Sequence, residues 1–113
     1  MKNYYDLFVD LSLQQCMKAD YQNKRKVKSH NAAFKKLQKL QIKMKRRNCI
    51  EILDLLLLHE DERVRINAAS LCLQMGILVD KAIRVLEQIA KSSEDATLSF
   101  SATMLLKSCR NNQ

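Results

Sequence analysis

Apolar residues recur at helical spacing along most of the chain. Set 100° apart over residues 24–46, Ala33, Leu37, Leu40 and Met44 fall within about 60° of one another, with Phe34 at the margin. This predicts a long helix with one buried stripe. Lys28, Lys35, Lys36, Lys39, Lys43 and Arg46 occupy the opposing arc, Lys24 and Arg25 continue it toward the N-terminus, and Ile42 is its only apolar member.

Farther along, the chain resembles itself at an ungapped shift of 34. Cys49 then pairs with Ile83, Ile52 with Leu86, Leu55 with Ile89, Leu56 with Ala90, Val64 with Leu98, Ala68 with Ala102, Leu71 with Leu105, Cys72 with Leu106 and Met75 with Cys109. All of these pairs are apolar. Glu60 and Asp61 likewise pair with Glu94 and Asp95, acidic dipeptides where a helix N-terminus favours negative charge. Two helical hairpins are predicted, residues 49–59 with 62–75 and residues 81–91 with 95–109, and Asn48, Asp61, Asp80 and Asp95 are their expected N-caps.

Within the first hairpin, Val64, Ala68, Leu71, Cys72 and Met75 form one stripe, while Ile66, Ala69 and Leu73 lie on another side. A helix with two apolar sides is expected to be covered on both. In the last helix the outer side holds Phe100 and Met104, with no later helix to cover them. They either pack back on the preceding helix or meet a partner.

Composition narrows the class. With one glycine, no proline and 47% hydrophobic residues in 113, collagen-like, disordered and turn-rich β classes drop out, as does a phosphate-cradling glycine loop. The expected fold is an all-α, right-handed stack of about five or six helices forming one domain over residues 1–113. Residues 1–47 supply basic N-terminal helices and residues 48–113 the two hairpins, about 49–75 and 81–109.

Charge separates the same two parts. Residues 1–47 hold 13 Lys or Arg against Asp6, Asp10 and Asp20, whereas residues 48–113 hold 7 against 9, within a formal net charge of +8. No acidic residue falls between Tyr21 and Ile50. Such an arc serves either as a solvated face or as a surface for an acidic partner. Stacking aromatics are missing from it, so nucleic-acid binding there would be weak, nonspecific and driven by phosphate contacts.

No apolar run approaches the ~18 residues of a membrane span, and Asp6 and Asp10 interrupt the N-terminal one. A soluble, cytoplasmic protein without membrane contact is expected. Cys16, Cys49, Cys72 and Cys109 form no CxxC pair, and they read as reduced packing residues. His30 and His59 suggest no relay. No nucleophile motif, metal-ligand spacing or cofactor site stands out, so neither catalysis nor a cofactor is expected.

The segment from Leu55 through His59-Glu60-Asp61-Glu62-Arg63-Val64-Arg65 to Ala68-Ala69 resembles a HEAT-like repeat, with its acidic turn before Val-Arg and two alanines. Together with Ala82 to Ala90, Leu98 to Ala102, Lys18-Ala19-Asp20-Tyr21 and Asn23-Lys24, it is similar to a bacterial domain family of unknown function, over about residues 10–108. The HEAT-like resemblance implies an α-solenoid in which Asp61 ties Arg65 in a structural role. It also implies a protein-binding module. Small bacterial domains of this resemblance class look like immunity proteins, which implies as partner a toxin encoded by a neighbouring gene. Some HEAT-like bacterial proteins instead grip DNA with basic helix faces, which makes the arc of residues 24–47 a nucleic-acid alternative. The candidate partner-binding residues are Lys28, Lys35, Lys36, Lys39, Lys43 and Arg46 on the arc, and Phe100 and Met104 on the last helix.

Overall fold

The computed structural model describes residues 3–15, 24–47 and 49–111, without the side chains of residues 15, 24–31, 33, 110 and 111. The expectations for Asn48 as a cap, and for Lys24, Arg25, Lys28 and Ala33 as side chains, lie outside it. Among the described residues all regular structure is helical, in six helices with no strand: α1 (Tyr4–Gln15), α2 (Lys24–Arg47), α3 (Ile50–Leu57), α4 (Glu62–Met75), α5 (Val79–Ser92) and α6 (Ala96–Asn111). The chain divides into two compact units, residues 1–49 and 50–113.

The first unit is a helical hairpin. Asn3 starts α1: its Oδ1 accepts the Asp6 N–H at 2.8 Å and its carbonyl accepts the Leu7 N–H. Phe8 and Ser12, one turn apart on α1, are inaccessible to solvent, as is Met44 on α2, and Leu37 and Leu40 at the expected helical spacing are buried, with Leu40 6% exposed. Burying each of these large side chains contributes about 1.5–3 kcal/mol. The Arg47 guanidinium lies 5.6 Å above the centroid of the Tyr4 ring, within reach of the ring's negative face. That contact joins the start of α1 to the end of α2, so the two helices run antiparallel. Lys45, Arg46 and Arg47 in the last turn of α2 also suit the negative end of its dipole.

In the second unit α4 is the central helix and packs against α3, α5 and α6. Val64, Ala68, Leu71 and Cys72 on one predicted apolar side and Ile66 and Ala69 on the other are buried, while Met75 and Leu73 of those sides are half-buried. Ala68 and Ala102, paired by the 34-residue shift, are both inaccessible to solvent. The shift also carries the first residue of α4, Glu62, onto the first residue of α6, Ala96. Their N-caps match in the same way. Asp61 Oδ1 accepts the Arg63 N–H at 2.9 Å, and Asp95 Oδ1 accepts the N–H groups of Thr97 and Leu98 at 2.9 and 3.3 Å. Ser99 Oγ donates to the Ala90 carbonyl at 2.8 Å and pins α6 to α5.

Between α4 and α5, Gly76 supplies the left-handed backbone (φ 69°) that closes α4, and its N–H and that of Ile77 donate to the Leu73 and Cys72 carbonyls. The expected cap at Asp80 is displaced. The helix begins at Val79, two residues before the expected start, with Leu78 as its cap at φ 48° and without a side-chain cap bond. Asp80 falls in the first turn, where its charge still suits the dipole. Lys81 Nζ at 2.8 Å from Asp54 Oδ1 links α5 to α3 across an exposed pair.

Candidate functional site

The described cations of the α2 arc stand where the spacing places them: Lys35, Lys36, Lys39, Lys43 and Arg46 are all exposed. Ile42 among them is 52% exposed, and Phe34, at the margin of the buried stripe, lies outside it at 42%. Beside the arc a groove of about 410 Å³ runs between α1 and α2. Tyr4, Leu7, Asp10, Leu11 and Gln14 form its α1 side, and Lys36, Lys39, Leu40 and Lys43 its α2 side. Three of the expected lysines therefore form a wall, with Leu40 and the α1 leucines supplying apolar surface below them. The α1 side was missed in the sequence. Its only signal is the spacing of Tyr4, Leu7 and Leu11, which fall on one helical face.

The second unit carries Phe100 and Met104 on α6, 65% and 48% exposed. Whatever contact they make with the preceding helix leaves Phe100 mostly and Met104 about half exposed. Another exposed apolar pair, Leu55 and Leu58, lies at the end of α3, 58% and 77% exposed. Leu55 differs in this from its repeat partner Ile89, which is buried. A second groove of about 400 Å³ between α4 and α6 is lined by Leu73, Val79, Leu105 and Cys109 together with Ser70, Gln74 and Ser108.

The Asp61 to Arg65 tie is replaced by one to Arg63. Asp61 caps α4 with extended backbone (φ −87°, ψ 125°), which turns its carboxylate toward the Arg63 N–H. The same carboxylate then takes the Arg63 guanidinium in a two-pronged bond, Nε to Oδ1 at 3.0 Å and Nη2 to Oδ2 at 2.8 Å. Arg65 is half-buried, and its buried Nε has no hydrogen-bond partner. His59 completes the turn by accepting the Asp61 N–H on Nδ1 at 3.0 Å.

The Arg63 hydrogen bond, opposed by partial burial, holds the Asp61 carboxyl below its ordinary value of 3.8. A group with a lowered folded pKa stabilises above its unfolded value and loses that contribution as pH falls through the folded one. Asp61→Asn keeps an acceptor for the Arg63 N–H but removes the charge. It is expected to flatten the loss of stability between about pH 5 and the lower folded value, read as the urea midpoint against pH. A decline identical to that of the parent chain would contradict the pairing.

Burial, reinforced by the Asp54 carboxylate, raises the Cys72 thiol to about 11, so it is not a thiolate nucleophile near neutrality. Cys49, Cys72 and Cys109 are free thiols. Among the described residues no three His, Cys, Asp or Glu side chains converge as a metal site, and no helix is long and apolar enough to cross a membrane.

The chain belongs to the family described as Domain of unknown function (DUF2019), whose model matches residues 2–109. No match is found among curated proteins or solved structures.

Proposed function

We propose that this chain is a non-catalytic protein-binding module, an immunity protein that neutralises a toxin domain encoded by a neighbouring gene in the bacterial cytoplasm. On this reading the chain is one domain. The hairpins α3–α4 and α5–α6 are repeats of a short right-handed HEAT-like solenoid, a type of fold whose usual work is to hold another protein. One observation carries the proposal: the exposed cations of α2 border a groove with an apolar floor rather than a surface of stacking aromatics. A phosphate backbone needs only the charge, whereas a protein segment uses both charge and floor. The partner surface that meets α2 is acidic. Phe100 and Met104, in the second unit, offer a second contact of a different kind, an apolar one.

The two contacts have separable kinetics. Lys35→Glu with Lys39→Glu is expected to slow association and flatten its salt dependence, because exposed charge acts mainly on encounter. Phe100→Ala is expected to raise the dissociation rate if α6 meets the partner, because lost apolar contact acts mainly there. Co-expression with the neighbouring toxin domain tests the proposal in cells. Rescue of growth supports it, and toxicity undiminished by the chain removes the immunity reading.

A further inference from the structure

Resting on the protein-binding reading, we infer that the α1/α2 groove is the docking site for an amphipathic helix with an acidic flank. Lys36, Lys39 and Lys43 stand in a row at i, i+3 and i+7 along one wall, and Leu7 and Leu11 stand one turn apart along the other. Both rows repeat at helical pitch, the lysines over about 10 Å and the leucines over about 6 Å, so a third helix laid between them can meet both. Its apolar positions at i, i+3 or i+4, and i+7 face the half-buried Leu7 and Leu11, with the largely buried Leu40 at the bottom of the groove, in the manner of helix-in-groove recognition.

Charge fixes which flank is acidic. The α2 wall carries Lys36, Lys39 and Lys43 and no acidic residue, and Lys35 and Arg46 extend the same field beyond it. The α1 wall carries Asp10 and no cation. With no cation on the α1 side of the lining, carboxylates gain only where they face α2, so an occupant acidic on that flank and apolar toward the α1 leucines fits best. A nucleic-acid duplex, with charge on every face and no apolar stripe, leaves Leu7 and Leu11 unused.

The test uses the full chain and three fluorescein-labelled peptides of about 18 residues, long enough to hold helix in solution. One has a leucine stripe and a glutamate flank, the second has lysine in place of glutamate, and the third is the first one scrambled to break the stripe. Anisotropy titrations at physiological salt are expected to show the glutamate helix binding at least roughly tenfold tighter than either other peptide. The triple variant Lys36→Glu, Lys39→Glu, Lys43→Glu alters exposed positions only, and unchanged helical circular dichroism verifies its fold. It is expected to prefer the lysine helix.

Any of four results overturns the inference: no peptide binds; the scrambled peptide binds as well; the preference survives charge reversal; or duplex DNA of about 20 base pairs binds tighter than the glutamate helix at the same salt. Failure in these titrations combined with growth rescue by the toxin partner rejects this groove and leaves the protein-binding reading standing on another surface. Failure of both removes both.

Discussion

Leu71→Ala is expected to lower the stability of the α3–α6 unit by about 2–5 kcal/mol, the cost of lost apolar contact plus the cavity left behind. Leu71 lies on the central helix, is inaccessible to solvent, and sits between the small residues Ala68 and Cys72 on the same buried side. Neighbours that small cannot lean in far to fill the space, which places the cost toward the upper part of that range. In a unit of this size each kcal/mol lowers the melting temperature by roughly 4–8 °C. Leu55→Ala is the control: with its side chain 58% exposed, its effect is expected to stay within about 0.5 kcal/mol. Urea unfolding of both variants checks the pair. Equal losses would mean that burial in α3 and α4 is misassigned.

Ala68→Leu is expected to destabilise by about 1–3 kcal/mol through the opposite fault, too much volume rather than too little. Ala68, Ala69 and Ala102 are all inaccessible to solvent on helices that touch one another, so the helix approach there depends on small side chains. The added atoms must push α4 away from a neighbour or force strained rotamers. A melting temperature unchanged from the parent chain would contradict the close approach of α4. A loss in both Ala68→Leu and Leu71→Ala would show a site intolerant of volume change in either direction, as expected of a close-packed interior.

The helices and most of their buried faces were legible because one period governs them. Leu37, Leu40 and Met44 are buried as the 100° spacing requires, and Asp61 and Asp95 cap helices that start 34 residues apart. Leu78 was not legible. Nothing in a leucine signals left-handed backbone, and Asp80 is the residue with the usual capping chemistry. Leu55 misleads for another reason: periodicity reports that a residue is apolar, not that a neighbour covers it. Leu55 on α3 is exposed where its repeat partner Ile89 on α5 is buried.

The candidate site divides in the same way. Its lysine wall follows from sequence because one helix carries all of it. The wall from α1 does not, because Leu7, Phe8, Val9, Leu11 and Leu13 spread around that helix without a single stripe. Only the docking of α2 over Phe8 and Ser12 sorts buried positions from the half-buried Tyr4, Leu7 and Leu11 that border the groove. The Arg63 bond to Asp61 was hidden behind a pattern that favours the residue four positions on, Arg65. The extended cap backbone instead puts the nearer guanidinium in reach.

That the chain acts by stoichiometric complex formation is tested most directly by the mass of what it forms. The measurement is light scattering on a size-exclusion column, after co-expression with the protein domain encoded by the neighbouring gene. The expected result is a single peak containing both chains at a fixed ratio, its yield reduced by Lys35→Glu with Lys39→Glu. The contradicting result is two separate peaks at physiological salt, with the chain eluting free of its neighbour.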